Sequence, residues 1–346
     1  MGTRPGGARL LLLGGTRFLG RHVAEQALAA GHALTLLHRG RSAPALFPQA
    51  RHWLADRDGD LSLLEREHFD AVIDTSAYVP RQVRAVAERL AGRVGRYLLV
   101  STVSVYADLS AAGTDETAPT ATLDDPATEQ LTGASYGGLK RLCEEAALAG
   151  FGERALVARP GLIVGPHDPT GRFAWWLTRL QRGGDVLVPG RPEAPLQFID
   201  ARDAAGWMLR QVTAPGTDAA GPVYNLTGPA TPLTMGGFFE AARARLNPSA
   251  RLHWADADWL LREGVAPWTE LPLWVPPDAA GLHQVDIRRA LGAGLATRPV
   301  GETVADTAAW LASDPPAPAD GAMARPPVGL APEKEAGLFT RFVAGS

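Results

Sequence analysis

The sequence predicts an α/β protein: a Rossmann-type, doubly wound parallel sheet with a smaller, mostly C-terminal substrate-binding region. Short apolar runs alternate with amphipathic segments in the first half of the 346-residue chain. This alternation is typical of a parallel sheet covered by helices on both faces. A glycine-rich turn directly follows the first apolar run. A hydrophobic content of 46% is ample for the buried core that such a fold requires.

The individual elements of the first half follow from the apolar runs and their spacing. Strands are expected at Arg9–Leu13, Ala33–Leu37, Arg51–Leu54, Ala71–Asp74, Arg96–Val100 and Ala155–Ala158. Helices are expected at Gly20–Ala30, Pro80–Gly92 and Ser135–Ala149. The stretch from Ala107 to Gly133 has no periodicity, and loops this long are usually functional lids or flexible segments.

The second half of the chain is less regular and richer in tryptophan, proline and glycine. Eight of the nine tryptophans lie at or beyond Trp175. We therefore expect the dinucleotide-binding domain at residues 8–165 and 195–228, and the substrate-binding region at 166–194 and 229–346. Asp314–Pro327 is expected to be a Pro/Ala-rich linker, and Pro332–Val343 a closing helix.

Composition excludes several classes of protein. The net charge of −3 gives no bulk attraction to nucleic acid or an anionic membrane. The lone Cys143 excludes an intramolecular disulfide and a cysteine-based zinc site, and no metal is expected. With no signal peptide and no long apolar run, the expectation is a cytoplasmic protein that binds a small-molecule substrate, and a homodimer is its candidate assembly.

The glycine-rich turn has the position of a dinucleotide-binding turn, between a strand and a helix. It consists of Gly14, Gly15, Thr16, Arg17, Phe18, Leu19 and Gly20. Its backbone N–H groups are expected to face a pyrophosphate at the N-terminus of the helix. Arg17 stands where a small residue normally lets the backbone approach the phosphates. The alternative interpretation is a plain strand-to-helix turn.

The end of the second strand bears on the choice between NAD and NADP. An NAD site usually has an acidic residue near His38 that accepts from the ribose 2′-OH, and none is present. Arg39 and Arg41, with Arg17 opposite, are suited to a 2′-phosphate. NADP is therefore the predicted cofactor, with NAD the alternative if these are ordinary exposed arginines. Asp56 is a candidate partner of the adenine amino group.

Tyr136 and Lys140 are the predicted chemical centre. They are four residues apart and so share one face of a helix. An ammonium beside a phenol favours the phenolate, which can then exchange a proton with a substrate oxygen. Only two of the 34 basic residues are lysines, Lys140 and Lys334, and a solvated lysine is ordinary in the closing helix that holds Lys334. The alternative for the pair is an exposed tyrosine and lysine on a surface helix.

A hydroxyl at the carboxyl end of the fifth strand should complete the catalytic set. Ser101, Thr102 and Ser104 all lie there, and the residues alone do not choose between them. They could instead only stabilise the turn. His167 and Asp168 follow the sixth strand and are interpreted as turn residues rather than pocket residues.

The glycine turn, the Thr102–Tyr106 turn, the Tyr136/Lys140 pair and Arg159-Pro160 together resemble the extended short-chain dehydrogenase/reductases, including the NAD-dependent epimerase/dehydratase family. The resemblance covers nearly the whole chain, and the Phe198–Ala204 and Val223–Gly228 segments look like later parts of the family's sheet. It implies that Thr102 is the catalytic hydroxyl and that Pro160 contacts the cofactor.

Departures from the family pattern narrow the chemistry. Val103 and Ser104 stand where dehydratases of the family carry an acid and a base. Leu162 replaces an asparagine common in nucleotide-sugar enzymes, and Leu196 and Gln197 stand where an arginine often grips the diphosphate. Other arginines could take that role; the candidates are Arg172, Arg191 and Arg202.

Three functions follow from this pattern. The first is an NADP-dependent oxidoreductase acting on a carbonyl or alcohol. The second is an NAD-dependent nucleotide-sugar epimerase. The third is a non-catalytic or RNA-associated protein on the same fold, suggested by the basic run from Arg81 to Arg96. A solvated or dimer-contacting helix face is the simpler explanation of that run.

Overall fold

The computed structural model describes residues 7–90, 92–214, 221–313 and 328–345, so the Asp314–Pro327 segment expected as a linker lies outside the described residues. The strands are, in chain order, β1 (Arg9–Leu13), β2 (Ala33–His38), β3 (Arg51–Leu54), β4 (Phe69–Asp74), β5 (Val94–Val100), β6 (Ala155–Pro160), β7 (Ile163–Val164), β8 (Asp185–Pro189), β9 (Pro195–Leu196), β10 (Ile199–Asp200), β11 (Val223–Leu226), β12 (Leu233–Thr234) and β13 (Arg251–Ala255). The helices are α1 (Phe18–Ala29), α2 (Pro80–Leu90), α3 (Tyr136–Phe151), α4 (Arg172–Arg182), α5 (Ala201–Thr213), α6 (Met235–Leu246), α7 (Ala257–Arg262), α8 (Arg288–Gly292), α9 (Val300–Ser313) and α10 (Pro332–Ala344).

Seven strands form one parallel sheet in the order β11-β6-β5-β4-β1-β2-β3. The chain winds outward from β1 to β3 and then crosses back to β4, so the direction of winding reverses between β1 and β4. This is the doubly wound Rossmann topology, and it confirms the predicted fold. The six predicted strands and three predicted helices of the first half are all present, with ends within two residues of expectation.

Helices cover both faces of the sheet. On one face α1 packs against α5, and the core between them and the sheet includes the buried Trp207 and Tyr224. On the other face α2 packs against α3, and Tyr97 stacks on Phe151 with ring centroids 4.0 Å apart. The strands of the sheet are apolar on both sides because both sides are buried, which is why they appear in the sequence as continuous apolar runs.

A second core lies in the later part of the chain. Helices α4, α6 and α9 pack together there, and β8 pairs with β13 in parallel. Several aromatic rings fill this core: Phe173, Trp176, Phe238 and Phe239 are each fully buried. Five of the eight tryptophans of the second half contribute to this core or pack against it.

The stretch from Ala107 to Gly133 contains no helix or strand, yet its first part is held firmly against the body. The Glu116 carboxylate is buried and accepts from the backbone N–H of Asn225 at 2.8 Å, at the end of β11. The Thr114 carbonyl accepts from the backbone N–H of Asp286 at 3.0 Å. The carbonyl of Ala111 is packed so closely that a Cβ on Gly281 would stand 2.1 Å from it. This part of the loop is therefore a fixed wall rather than a free lid.

Within the described ranges, no helix combines the length and the apolar character needed to cross a membrane.

Candidate active site

A cavity of about 870 Å³ opens at the carboxyl ends of the parallel strands. Open α/β sheets bind ligands at this edge, where the winding direction reverses. The structure brings every residue predicted for the site to the lining of this one cavity. These residues are Gly14, Gly15, Thr16, Arg17, Phe18, Leu19, Gly20, Arg39, Asp56, Thr102, Tyr136, Lys140 and Pro160.

The glycine turn has the geometry that a phosphate-binding turn needs. Gly14 and Gly15 have φ of +108° and +100°, where a side chain would be strained. A Cβ on Gly20 would stand 2.7 Å from the backbone nitrogen of Gly15, so only glycine permits this close packing of helix on turn. The backbone of the turn therefore fits a pyrophosphate at the N-terminus of α1. Arg17 is exposed and is the residue directly before α1.

His38, at the end of β2, lies where an NAD site usually carries a carboxylate. Its Nδ1 accepts from the backbone N–H of Gly40 at 3.1 Å. The Nε2–H of His38 must therefore donate to Nδ1 of His52 at 2.9 Å, and the Nε2–H of His52 donates to the carbonyl of Phe47 at 3.0 Å. Burial and the neighbouring His52 both lower the pKa of His38. His38 is thus a neutral ring that fixes the start of the loop carrying Arg39 and Arg41, both of which line the cavity.

Arg57 also lines the cavity, and the sequence reasoning missed it. Its guanidinium makes two hydrogen bonds, of 2.7 and 2.8 Å, with the carboxylate of Asp74, which is fully buried at the end of β4. The Tyr97 hydroxyl donates to the same carboxylate at 2.8 Å. The sequence did contain a signal for this pair: Asp74 is a charged residue at the end of the apolar strand β4, and a buried charge needs a partner. Asp56, the predicted adenine partner, is exposed at the rim and accepts from the backbone N–H of Asp58 at 3.1 Å.

Lys140 is buried, and its ammonium donates to the carbonyls of Ala77 and Val100 at 2.7 and 2.6 Å. These two carbonyls follow β4 and end β5, so the lysine links the ends of two neighbouring strands beneath the cavity. Burial lowers the pKa of Lys140. Tyr136 is half-buried one turn earlier on α3, and both side chains line the cavity.

The three candidate hydroxyls after β5 have different partners. Ser101 is buried and donates to the carboxylate of Glu144. The Thr102 hydroxyl accepts from the backbone N–H of Ser104 at 3.1 Å and donates to the Ser104 hydroxyl at 3.2 Å. Because Ser101 is committed to a buried carboxylate, Thr102 and Ser104 are the hydroxyls better placed to meet a substrate.

A buried polar network supports this turn. Glu144 receives two hydrogen bonds, of 3.0 and 2.7 Å, from the Arg159 guanidinium, and both side chains are about 5% exposed. Arg159 also donates to the Tyr106 hydroxyl at 3.0 Å, and that hydroxyl donates to the Asn225 side chain at 2.6 Å. The sequence contained one signal for Glu144. It follows Lys140 by four residues on α3 and so lies on the helix face that carries Tyr136 and Lys140.

Later segments of the chain complete the lining of the cavity. They contribute Leu162, Pro169, Thr170, Arg172, Trp268 and Leu282. Of the three arginines named as substitutes for the missing diphosphate anchor, Arg172 lines the cavity. Arg202 is instead bound by Asp200 and Asp306, and Arg191 is exposed outside the lining.

His167 and Asp168 do not line the cavity. The Asp168 carboxylate is buried and accepts from the backbone N–H and the hydroxyl of Thr170 at 2.8 and 2.9 Å, so it stabilises the turn before α4. Over the residues that the structure describes, no group of three or more His, Cys, Asp or Glu side chains could hold a metal ion.

Comparison with known proteins places these features in a family. The model of the NAD dependent epimerase/dehydratase family matches residues 10–227, which is more than half of the chain. A protein of Arabidopsis thaliana named chloroplast stem-loop binding protein of 41 kDa b is 25% identical over 236 residues. That match covers 64% of this chain and 58% of the relative, so the chain spans less than two thirds of that protein.

Solved structures with similar folds include two epimerases. The UDP-glucuronic acid 4-epimerase from Bacillus cereus in complex with NAD has a TM-score of 0.64 at 14% identity, covering 91% of this chain and 99% of that one. The UDP-glucose 4-epimerase from Thermotoga maritima with UDP-glucose also has a TM-score of 0.64, at 16% identity, covering 88% and 98%. At identities this low, the similarity shows a shared fold and nothing about activity or substrate.

Proposed function

Because the chain belongs to the NAD dependent epimerase/dehydratase family, we propose that it is an NADP-dependent oxidoreductase that interconverts a carbonyl and an alcohol. Family membership makes it an NAD(P)-dependent enzyme; the choice of NADP and the type of reaction are the proposed parts. The observation that carries the proposal is that Thr102, Tyr136 and Lys140 share one cavity with the glycine turn.

The residues present fit a dinucleotide. A Cβ on Gly14, Gly15 or Gly20 would collide with neighbouring protein atoms, so these glycines let the turn pack closely between the sheet and α1. This packing leaves the backbone N–H groups at the N-terminus of α1 to bind a pyrophosphate. Arg17, Arg39 and Arg41 line the adjoining part of the cavity and are suited to a 2′-phosphate. The neutral His38 in place of a carboxylate removes the usual acceptor for a free 2′-OH, and this favours NADP.

When bound, the cofactor supplies or accepts the hydride. Tyr136 gives a proton to the substrate oxygen in reduction and takes one in oxidation. Lys140 stabilises the phenolate form of Tyr136 by its positive charge, and its two carbonyl partners hold the ammonium in place. The Thr102 hydroxyl positions the reacting oxygen by a hydrogen bond. Val103 and Ser104 provide no second acid–base pair, so an elimination has no support here.

Calorimetric titration with NADPH and NADH side by side tests the cofactor, and a tenfold preference for NADH, about 1.4 kcal/mol, would overturn the arginine argument. Transfer of deuterium from [4-²H]NADPH to a panel of carbonyl compounds tests the reaction. Tyr136→Phe should abolish transfer. Tyr78→Phe, which removes a phenol hydroxyl from the same cavity, is the matched control and should retain it. Full turnover by Tyr136→Phe would refute the assigned role.

The second candidate is an NAD-dependent nucleotide-sugar epimerase, which the names of the solved neighbours favour. It differs in its readout: NAD(H) would co-purify, and turnover would leave no net redox change. The departures at Leu162, Leu196 and Gln197 weigh against it because they remove the family's common contacts to a nucleotide-sugar.

The Arabidopsis relative is named as a stem-loop binding protein, but the basic run of this chain gives little support for RNA binding. In the basic run, Arg81 is bound by Asp58 and Glu129, and Arg89 lies beside Glu88. Two of the five arginines of the run therefore have acidic partners. If charge reversal across the run changed the binding of a stem-loop RNA in a gel shift, the RNA-associated function would replace the oxidoreductase proposal. Homodimer formation remains a prediction.

A further inference from the structure

The turn after β5 presents one side chain to the cavity and buries the two beside it. Val103 and Val105 belong to a small buried apolar cluster, whereas Ser104 between them is exposed and lies in the cavity lining. Thr102 also lines the cavity but is only 8% exposed. Of the two hydroxyls that remain to meet a substrate, that of Ser104 therefore belongs to the more accessible residue.

The hydrogen bonds between Thr102 and Ser104 leave only one of the two hydroxyls with a proton to donate. The Thr102 hydroxyl accepts from the backbone N–H of Ser104 at 3.1 Å and donates to the Ser104 hydroxyl at 3.2 Å. Because a hydroxyl carries a single proton, Thr102 has none left for a substrate oxygen. The Ser104 hydroxyl accepts this bond and keeps its own proton, for which the described residues provide no acceptor.

Ser104 also lies against the start of the helix that carries Tyr136. A Cβ on Gly137, the next residue of α3, would stand 2.1 Å from the carbonyl oxygen of Ser104, so only glycine permits this contact. The contact holds the backbone of Ser104 beside the first turn of α3. The side chains of Ser104, Tyr136 and Lys140 line the same cavity. A donor hydroxyl is thus held close to the acid/base residue of the proposed function.

A carbonyl oxygen under reduction can use such a donor. It has two lone pairs, so it can take the proton of Tyr136 and accept a hydrogen bond from a hydroxyl at the same time. That hydrogen bond stabilises the negative charge that develops on the oxygen as the hydride arrives. Two hydroxyls in series do this better than one, because donation from Thr102 polarises the O–H of Ser104.

We propose that Ser104 is the catalytic hydroxyl that touches the reacting oxygen, and that Thr102 is a positioning residue that acts through it. This rests on the proposed oxidoreductase function and refines the part of Thr102 in it: Thr102 positions the reacting oxygen by its hydrogen bond to Ser104. Proton transfer stays with Tyr136, because Ser104 donates a hydrogen bond and keeps its proton.

Double-mutant kinetics distinguish two hydroxyls that act in series from two that act independently. The measurement is deuterium transfer from the 4-²H form of the dinucleotide that the enzyme binds more tightly, with 4-nitrobenzaldehyde, phenylglyoxal and diacetyl as the probes. Ser104→Ala should lower kcat/KM at least about hundredfold, because it removes the donor itself. Thr102→Val should lower it only about tenfold, because the donor remains but is no longer held in place. The double variant should stay within about twofold of Ser104→Ala.

Conservative variants separate this role from a merely structural one. Thr102→Ser keeps both hydrogen bonds and Ser104→Thr keeps the hydroxyl, so each should retain most of the activity. Ser110→Ala is the control: it removes an exposed hydroxyl from the following loop, outside the cavity lining, and should leave kcat/KM unchanged. The dinucleotide Kd should stay within about twofold in all variants.

A larger loss in Thr102→Val than in Ser104→Ala would overturn the inference and give the direct contact to Thr102. A double variant that loses the product of the two single losses would also overturn it, because the hydroxyls would then act independently. The proposed function fails on different results: neither dinucleotide binds, no probe receives deuterium from the wild-type enzyme, or Tyr136→Phe retains full turnover. In those cases the role of Ser104 falls with it.

Discussion

The buried pair of Glu144 and Arg159 gives a prediction that needs no knowledge of the substrate. Both side chains are about 5% exposed, and the guanidinium makes two hydrogen bonds to the carboxylate. Glu144→Gln keeps the shape of the side chain but removes its charge. The Arg159 cation is then buried with neutral oxygen partners alone: the remaining glutamine oxygen, the Tyr106 hydroxyl and the Glu116 carbonyl.

Breaking a buried ion pair by removing one partner typically costs about 3–5 kcal/mol, because an uncompensated charge remains inside the protein. The glutamine oxygen can still accept one hydrogen bond, so we expect the lower end of that range, about 3 kcal/mol. Glu145→Gln is the matched control. Glu145 is the next residue, its side chain is 55% exposed and pairs with Arg141. An exposed pair at this spacing is worth about 0.5 kcal/mol or less.

Urea unfolding followed by far-UV circular dichroism measures both free energies. The midpoint should fall markedly for Glu144→Gln and hardly for Glu145→Gln, with an unchanged slope in both variants. If the two variants lost the same stability, Glu144 would not be carrying a buried charge pair, and the reasoning about the support of the Ser101–Thr102 turn would be refuted.

Three further predictions concern buried ionisable groups. Lys140→Met should lower the free energy of unfolding by about 2–3 kcal/mol, because two buried carbonyls lose their donor. The loss should be smaller in Lys334→Met, where the side chain is 34% exposed, and equal losses in urea unfolding would contradict this. Burial raises the pKa of Asp74, but Arg57 and hydrogen bonds outweigh burial and leave the pKa lowered. The ionised Asp74 therefore stabilises the fold above pH ~4, and this stabilisation is lost as the pH falls through the depressed pKa. The difference in thermal stability between the wild type and Asp74→Asn should narrow below pH ~4, and a constant difference would refute this. Burial raises the pKa of Cys143 to about 11, so a thiol reagent at pH 8 should react only after unfolding, and fast reaction in the native state would refute this.

The local parts of the structure could be predicted from the sequence. The strand–turn–helix unit at Gly14–Gly20 depends on neighbouring residues, and the pairing of Tyr136 with Lys140 depends only on the helical repeat. The predicted fold class was confirmed. It also follows from a local pattern, because short apolar strands that alternate with helices can bury both of their faces in few other architectures.

Contacts between distant segments could not be predicted. Ser101 and Thr102 are chemically alike in the sequence, and what separates them is the partner Glu144, 43 positions further along the chain. Trp268, in the cavity lining, has a left-handed backbone with φ of +64°, which no local pattern signals. Lys334 was expected to be solvated, but it forms an ion pair with Glu270 at 2.6 Å and donates to the carbonyl of Gly264 at 2.9 Å. Each case requires knowledge of which segments meet in space.

The scarcity of lysine makes this protein well suited to selective isotope labelling. Lysine enriched with ¹³C at Cε gives two side-chain NMR signals, since the chain has only Lys140 and Lys334. One nucleus belongs to Lys140 on α3, in the lining of the cavity, and the other belongs to Lys334 on α10, which is bound to Glu270. Two resolved resonances can therefore report separately on the cavity at Lys140, where a bound dinucleotide is expected to shift the signal, and on the ion pair of Lys334 with Glu270 outside its lining.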